Sequence, residues 1–342
     1  MDYHGYKKDF EEVIQRFNFD YLRGKSILIT GGTGLIGLCL VELLLYLKKE
    51  QAYDNTVYVL VRSVEAAERL FGPSSLEVEF IEGDIRSVDI TTVYFDYIIH
   101  AASIANPASY VELPVDVIDT TVAGVKNVLE YCRNNPETRL INVSTVEVVG
   151  SLDIAVAKEE DQGVVDLLTV RSSYPEAKRL AEVYCRAYIS QYNANVIIAR
   201  PVKVYGRYNS SSDKRAIAYM QQCVARDENI TLQTKAEAKF SFCYVVDTVT
   251  ALVVLLQNGV AGEVYTIANT DSYESISFFA ETIASAVNLR VEYDIKESNR
   301  FSKNVNNTNF DNTKLLRAGW RPYVGLEEGI RRIVESAQAN RK

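Results

Sequence analysis

Three glycines at three-residue intervals, Gly31, Gly34 and Gly37, place the strongest constraint on the fold of this chain. They lie in KSILITGGTGLIGLCLVELLLYL, between an apolar run typical of a strand and a longer run typical of a helix. Glycines permit the tight turn, and amides at a helix N-terminus attract anions. The spacing predicts a dinucleotide-binding turn whose first helical amides, at Leu35 and Ile36, also face the pyrophosphate. A glycine-rich turn without a ligand is the alternative.

Short apolar strands and helices alternate along most of the chain. Strand-like runs follow in NTVYVLVRS, VEFIEGDI, YFDYIIHAAS, RLINVSTVEVVG and NVIIARPVKVYG. Helical patterns separate the later ones, in VDVIDTTVAGVKNVLEYCRNN and in residues 175–192. Such alternation is typical of a parallel sheet covered on both faces. We therefore predict an α/β fold, a Rossmann-type doubly wound parallel sheet with a smaller C-terminal α/β lobe for the substrate.

The pattern changes twice along the chain, which suggests how it is divided. Residues 1–24 contain apolar positions at helical spacing and are predicted to form an N-terminal helical extension. Residues 25–205 and 240–268 are assigned to the dinucleotide-binding domain. The segments 206–239 and 269–342 are more polar, with shorter elements, and are assigned to the substrate-binding lobe.

The composition excludes several classes of function. A net charge of −8 disfavours nonspecific binding to nucleic acid through a basic face. The five cysteines are scattered, and His4 and His100 are the only histidines, which argues against a disulfide framework, a metal site and Ser-His-Asp chemistry. The N-terminus does not resemble a signal peptide, and the longest apolar run, from Leu35, is too short for a bilayer and contains Glu42. We expect a soluble, cytoplasmic protein without membrane or nucleic-acid partners.

The end of the second strand bears on the choice of dinucleotide. An acidic residue usually contacts the adenosine ribose there, but this strand ends in Val61 and Arg62. Arg62 suits a 2′-phosphate, which points toward NADP, or it stacks on adenine; a solvated loop arginine is the alternative. Asp84, after the third strand, is a further candidate for the adenine, or else a turn residue.

A tyrosine and a lysine four residues apart carry the predicted chemistry. Tyr174 and Lys178 share one face of a helix, and an ammonium beside a phenol is expected to lower its pKa from about 10. Such a tyrosine is suited to act as a base near neutral pH. The pair also occurs by chance on amphipathic helices. Thr145, at the end of a strand, is expected to hydrogen-bond the substrate oxygen from which Tyr174 takes a proton.

The motifs together resemble the extended short-chain dehydrogenase/reductases, the NAD-dependent epimerase/dehydratase family of nucleotide-sugar enzymes. TGGTGLIG, GDI, HAAS, STVEVVG, YPEAK, ARPVKVYG and YVVD occur in that family's order and rough spacing, and the closing NFDNTKLLRAGWRPYVGLEEGI is also similar. The resemblance implies bound NAD(P), a homodimer packed through paired helices, and Tyr174 and Lys178 contacting both substrate and cofactor. Through GDI and HAAS it adds Ile85, Ala101 and Ala102 as cofactor contacts.

Within the family, the chain most resembles UDP-glucuronate decarboxylases. HAASIANPASYVELP and RSSYPEAKRLAE are similar to runs in that group. The resemblance implies that Ser103, Tyr110 and Arg171 bind the substrate. It also implies that Glu147 in STVEVVG is a catalytic residue, although a solvated residue at the strand end is the alternative.

Three positions depart from the family pattern. Val146 stands where similar dehydratases have an aspartic acid that expels a hydroxyl group. Lys203 replaces an asparagine that meets the nucleotide diphosphate, and Phe240 replaces an arginine with the same partner. Lys203 is therefore assigned to the substrate, with Lys239 as an alternative cation. These departures leave the nucleotide and the sugar open.

The resemblance implies an enzyme that oxidises a nucleotide-linked sugar at carbon 4 with bound NAD(P), transforms it and reduces it again. Decarboxylation of a UDP-glucuronate-like substrate is the leading expectation. Epimerisation is the next, followed by 4,6-dehydration. An NADPH-dependent keto-sugar reductase and a catalytically dead dinucleotide sensor are the remaining alternatives.

Overall fold

The computed structural model describes residues 3–207, 213, 215–295 and 307–339. The helices are α1 (Lys7–Ile14), α2 (Leu35–Glu50), α3 (Val64–Phe71), α4 (Ser109–Glu112), α5 (Pro114–Asn134), α6 (Ser173–Tyr192), α7 (Ala216–Arg226), α8 (Val245–Asn258), α9 (Ile276–Ala286), α10 (Thr313–Arg317) and α11 (Leu326–Ala339). The strands are β1 (Ser26–Thr30), β2 (Thr56–Val61), β3 (Val78–Glu82), β4 (Tyr97–His100), β5 (Arg139–Val143), β6 (Val156–Ala157), β7 (Val196–Pro201), β8 (Lys203–Tyr205), β9 (Ile230–Leu232), β10 (Lys239–Tyr244), β11 (Val264–Ile267), β12 (Tyr273–Ser275), β13 (Val291–Tyr293) and β14 (Asn309–Phe310).

Seven parallel strands form the central sheet, in the order β11-β7-β5-β4-β1-β2-β3. The chain builds β1, β2 and β3 outward in one direction and then returns to place β4 on the other side of β1. The order therefore reverses between β1 and β4, where the carboxyl ends of such strands form a ligand crevice. The predicted doubly wound parallel sheet is confirmed.

Continuous burial explains why these segments form a sheet covered on both faces. The central strands are almost entirely buried, and α2 and α8 are buried along most of their length. The buried apolar residues form two large clusters, one of which contains the apolar residues of α2 and α8 and the other those of α5 and part of α6. Apolar side chains facing both surfaces of a parallel sheet are the expected source of its stability.

Two predicted strands are shorter than the sequence suggested. The run from residue 139 to 150 leaves the sheet after Val143, and a 3-10 turn at Val146–Val149 follows. The run from 195 to 206 is not one strand, because β7 ends at Pro201 and β8 joins a separate sheet in the order β12-β10-β8. In both cases an apolar run continues past the point where the chain changes direction, and hydrophobicity alone does not mark that point.

Two small two-stranded sheets, β13 with β9 and β14 with β6, complete the strand pairing among the described residues. The proposed division into a helical extension, a dinucleotide-binding domain and a substrate lobe remains a prediction. Parts of the predicted extension and lobe, at positions 1–2, 208–212, 214, 296–306 and 340–342, lie outside the described residues.

The N-terminal segment is tied to the body of the protein. Tyr6, Phe10 and Val13 are fully buried around α1. The fully buried Asp9 carboxylate accepts from Arg207 at 3.1 Å and also pairs with Arg332 on α11. One helical turn thus connects α11 with the segment that follows β8.

Candidate active site

Of the three evenly spaced glycines in the turn after β1, two leave no room for a side chain. Gly31 has φ of +74°, and a Cβ there would lie 2.8 Å from the backbone of Ala101 and Ala102. A Cβ on Gly37 would collide with the Gly31 carbonyl group. Gly34 precedes the first residue of α2, and no side chain of the described residues caps this helix. The first amides of α2 at Leu35 and Ile36 therefore remain suited to a phosphate.

The candidates for the adenosine half lie at the ends of β2 and β3. Arg62 is exposed, and its charge acts on the nearby Asp84 carboxylate. Arg86 donates to that carboxylate from Nε at 2.9 Å and Nη2 at 2.6 Å and, as the main cause, lowers the pKa of Asp84 to about 2. The side chain of Ile85 is buried in the second core cluster, so only its backbone is available to a ligand.

Tyr174 and Lys178 lie on α6 facing the end of β5. Both are buried, with 6% and 4% of their surfaces exposed. Lys178 Nζ donates to the Val143 carbonyl oxygen at 2.8 Å. The Thr145 hydroxyl accepts from the Glu147 amide at 3.2 Å and interacts with the Tyr174 phenol. The structure thus brings the predicted tyrosine, lysine and threonine together.

The prediction that Lys178 lowers the pKa of Tyr174 is wrong, because the pKa is raised. Burial raises the pKa of the Tyr174 phenol, and the charge of Glu147 adds to the rise. Burial also lowers the pKa of Lys178 to about 8. Lys178 donates instead to a backbone carbonyl group. Desolvation of the buried Tyr174 phenol outweighs the attraction to a cation that is expected to favour a phenolate.

Tyr110 covers the Tyr174 ring. The two ring centroids are 4.3 Å apart and their planes differ by 6°. Ser173 Oγ donates to the Tyr110 carbonyl oxygen at 3.1 Å, which fixes α4 to the start of α6. Ser103, also predicted to bind the substrate, lies within hydrogen-bond distance, 3.1 Å, of the Thr121 hydroxyl on α5.

Three charged side chains lie beside this pair of rings. Arg171 Nη2 donates to Glu147 Oε2 at 2.8 Å, and its guanidinium carbon lies 5.5 Å from the Tyr110 ring centroid. Lys203 Nζ lies 4.2 Å from the Phe240 ring centroid, and the charges of Glu147 and Arg171 both act on it. The resemblance assigns Glu147 to catalysis and Arg171 to the substrate, and the structure pairs the two side chains with each other.

A buried polar network behind this site was not identified from the sequence. Glu182, one turn after Lys178, accepts from Ser144 Oγ at 2.5 Å and from Arg200 Nη2 at 2.6 Å. The signal was present in YPEAKRLAE, because a glutamate four residues beyond the lysine lies on the same helical face. Its partner, Arg200 on β7, is too distant in sequence for spacing to indicate.

Two kinds of feature are absent from the described ranges, a metal-binding cluster and a membrane-spanning helix. No cluster of histidine, cysteine or acidic residues there is arranged to hold a metal ion. None of the helices described combines the length and the hydrophobicity needed to cross a lipid bilayer.

Comparison with known proteins identifies relatives over most of the chain. A model of the NAD dependent epimerase/dehydratase family matches residues 27–268. UDP-glucuronic acid decarboxylase 3 of Arabidopsis thaliana is 31% identical, with 89% of this chain and 86% of the relative covered. UDP-glucuronic acid decarboxylase 1 of Xenopus tropicalis is 30% identical, with 91% and 71% covered. The structure of an epimerase from Methanothermobacter thermautotrophicus superposes with a TM-score of 0.82 at 21% identity, covering 98% of this chain and 96% of that one, which supports the fold.

Proposed function

This chain belongs to the NAD-dependent epimerase/dehydratase family, and we propose that it converts a nucleotide-linked sugar through a transient ketone at carbon 4. Members of this family are NAD-dependent enzymes. The leading reaction is decarboxylation of a nucleotide-linked hexuronate, as in the UDP-glucuronic acid decarboxylases to which the chain is similar. Epimerisation is the second candidate.

The glycine turn fits a bound NAD. The crowding at Gly31 and Gly37 brings backbone close to the ligand crevice, and the amides of Leu35 and Ile36 supply donors for the pyrophosphate. NAD held there would supply reversible hydride transfer at carbon 4 of the sugar. We assign Ala101 and Ala102 to the opposite wall, and the Asp84 and Arg62 side chains and the Ile85 backbone to the adenosine side.

The residues at the start of α6 handle the proton of the sugar 4-hydroxyl group. Tyr174 takes this proton as carbon 4 is oxidised and gives it back when the ketone is reduced. The Thr145 hydroxyl holds the same oxygen, and the Lys178 ammonium provides positive charge beside the phenol. Because the pKa of Tyr174 is raised, we assign proton transfer to a step concerted with oxidation rather than to a preformed phenolate.

The cationic surroundings of Glu147 carry the proposal of decarboxylation. Arg171 and Lys203 both interact with the Glu147 carboxylate, so the three side chains together carry a net positive charge that suits an anionic sugar. With a ketone at carbon 4, a carboxylate on carbon 5 can leave as carbon dioxide, and its bonding electrons form an enolate. We assign Glu147 to protonating carbon 5, with the proton drawn from solvent, and Arg171 and Lys203 to binding anionic groups of the substrate.

The ion pair already formed between Arg171 and Glu147 favours the alternative, epimerisation of a neutral sugar. Arg171 already donates to Glu147 at 2.8 Å, and a substrate carboxylate must share or displace that contact. A neutral hexose leaves the ion pair intact. Dehydration is disfavoured because Val146, which packs against the apolar core, supplies no acid to expel a hydroxyl group.

A homodimer is part of the proposal. The adjacent helices α5 and α6 expose apolar side chains, namely Val115 and Ile118 on α5 and Leu180 and Val183 on α6. We assign this face to contact with a second copy of the chain, because burying such side chains is favourable and exposed patches of this kind mark interfaces.

The test is to incubate the purified protein with UDP-, dTDP-, CDP- and GDP-linked hexoses and hexuronates and to analyse the products by mass spectrometry and chromatography. The proposal predicts loss of carbon dioxide from a hexuronate. Unchanged mass with a new retention time indicates epimerisation, and loss of water indicates dehydration. Consumption of one NADPH per product indicates a reductase. Binding of NAD without turnover of any substrate would contradict an enzymatic role.

A further inference from the structure

Three consecutive residues at the end of β5 are each held by one face of α6. The Val143 carbonyl oxygen accepts from Lys178, and Ser144 Oγ donates to Glu182 at 2.5 Å. The next residue in the turn, Thr145, interacts with the Tyr174 phenol. The three helical residues are spaced by four, so they form a single row along α6. Glu182 is the member of this row for which the proposed chemistry assigns no role.

Glu182 is locked in place by a buried ion pair. Arg200 on β7 donates to its two oxygens from Nε at 2.9 Å and Nη2 at 2.6 Å. Only 11% of the Glu182 side chain and 12% of the Arg200 side chain are exposed. The remaining donor of Arg200, Nη1, reaches the Glu159 carbonyl oxygen at 2.9 Å. A bidentate pair with this support holds the carboxylate in one position.

Of the titratable groups that face Lys178 in the described part of the chain, Glu182 is the one that carries a charge near pH 7. Besides Tyr174, whose raised pKa keeps the phenol neutral, these groups are Glu182 and Cys185 on α6 and His100 on β4. Burial lowers the pKa of His100 to about 3, so its ring is neutral near pH 7. Burial also raises the pKa of the Cys185 thiol, which is therefore neutral as well. Burial lowers the pKa of Lys178, and the Glu182 carboxylate opposes that effect.

We propose that Glu182 is a positioning residue for the Tyr174–Lys178 pair, acting in two ways. Its negative charge keeps Lys178 in the ammonium form, and its bond to Ser144 fixes the strand end that carries Thr145. The consequence for turnover rests on the proposed function, whereas the effect on the charge of Lys178 does not.

The first measurement is the pH profile of kcat. Glu182→Gln keeps the size of the side chain and removes its charge, so the alkaline decline in kcat is expected to move to lower pH by about one unit. Ser144→Ala leaves the charge in place and is expected to lower kcat without moving the decline. Glu176→Gln is the matched control, because Glu176 lies on the same helix but pairs with Arg179 at 2.9 Å. Its profile is expected to match that of the wild type.

The second measurement needs no turnover. Unfolding by urea is followed against pH for the protein without added cofactor and for Lys178→Met, which does not titrate. Since the pKa of Lys178 is lower in the folded than in the unfolded protein, the wild type gains stability relative to Lys178→Met as pH rises above about 8. With Glu182→Gln in both proteins, this gain is expected to begin about one pH unit lower.

The outcomes distinguish failure of the proposed function from failure of the role assigned to Glu182. If no nucleotide sugar is converted, the proposed function fails, and the unfolding experiment still tests Glu182. If Glu182→Gln lowers kcat and stability but shifts neither pH dependence, Glu182 is only structural and the inference is overturned. Should that variant not fold, Glu182→Gln combined with Arg200→Gln removes both buried charges. The downward shift is expected to persist, since the charge of Glu182 acts on Lys178, and an unchanged profile overturns the inference.

Discussion

The ring of Tyr110 lies flat on the ring of Tyr174, with centroids 4.3 Å apart and planes 6° apart. This stack joins α4, which follows the loop after β4, to the residue that is proposed to transfer the proton. It restricts the Tyr174 ring to one plane, and the Ser173 bond to the Tyr110 backbone at 3.1 Å supports the same arrangement.

Two replacements of Tyr110 are predicted to distinguish the effect of ring stacking on turnover from the effect of the hydroxyl group. Tyr110→Phe keeps the stack but loses the hydroxyl group that hydrogen-bonds Tyr174, and is expected to lower kcat only slightly. Tyr110→Ala loses both and is expected to lower kcat about tenfold, the scale of one aromatic pair. Steady-state kinetics on the substrate identified from the nucleotide-sugar panel provide the measurement. Equal losses in both variants would show that the hydroxyl group, rather than the stack, is what matters.

The pH dependence of turnover is predicted to follow Lys178. Its pKa is lowered to about 8, so the ammonium form disappears as pH rises through that value. If the cation is the active form, kcat falls above pH 8 by about tenfold per unit. Lys178→Arg stays charged throughout, and any activity it retains is expected to be flat up to pH 10. A wild-type kcat that is constant to pH 10 would contradict this role.

The exposed apolar face of α5 and α6 is predicted to form the dimer interface. Val183 is 60% exposed on α6, and Val183→Asp is expected to convert the dimer to a monomer in sedimentation velocity, because it buries a charge. The control is Val260→Asp, at a valine that is 59% exposed after α8. A wild-type monomer, or a dimer that both variants leave intact, would show that this face is not the interface.

The N-terminal helix is predicted to stabilise the whole protein through Asp9. Asp9→Asn leaves Arg207 and Arg332 without their buried carboxylate and is expected to lower the free energy of urea unfolding by about 3 kcal/mol. Glu12→Gln removes a partly exposed partner of the same Arg332 and is expected to cost less than about 1 kcal/mol. Similar small losses in both would mean that α1 is only loosely coupled to the body.

The fold was predictable because its signals are local and repeated. The glycine turn at Gly31, the run of apolar strands and the helical spacing of Tyr174 and Lys178 each depend on a few adjacent residues. The grouping of Thr145 with Tyr174 has a different basis, since the turn after a parallel strand and the first turn of the following helix lie at the same edge of the sheet. The order of the strands then follows from a small number of allowed connections.

The contacts within the site were not predictable in the same way. The pairing of Glu147 with Arg171 and of Glu182 with Arg200 depends on side-chain directions that spacing does not give. The acidity of Tyr174 depends on a balance between burial and charge, in which burial of the ring makes the largest contribution. The premature ends of the strands at Val143 and Pro201 likewise depend on where the chain turns, not on its hydrophobicity.

The central claim is that a ketone forms at carbon 4 and that the same carbon receives the hydride back. The most direct test uses the nucleotide sugar identified from the panel, with deuterium on carbon 4, and protein without added NAD or NADH. We predict a product that retains the deuterium on carbon 4, and a rate at least about 100-fold lower in Tyr174→Phe. Loss of the deuterium to solvent, or full activity of Tyr174→Phe, would contradict this mechanism.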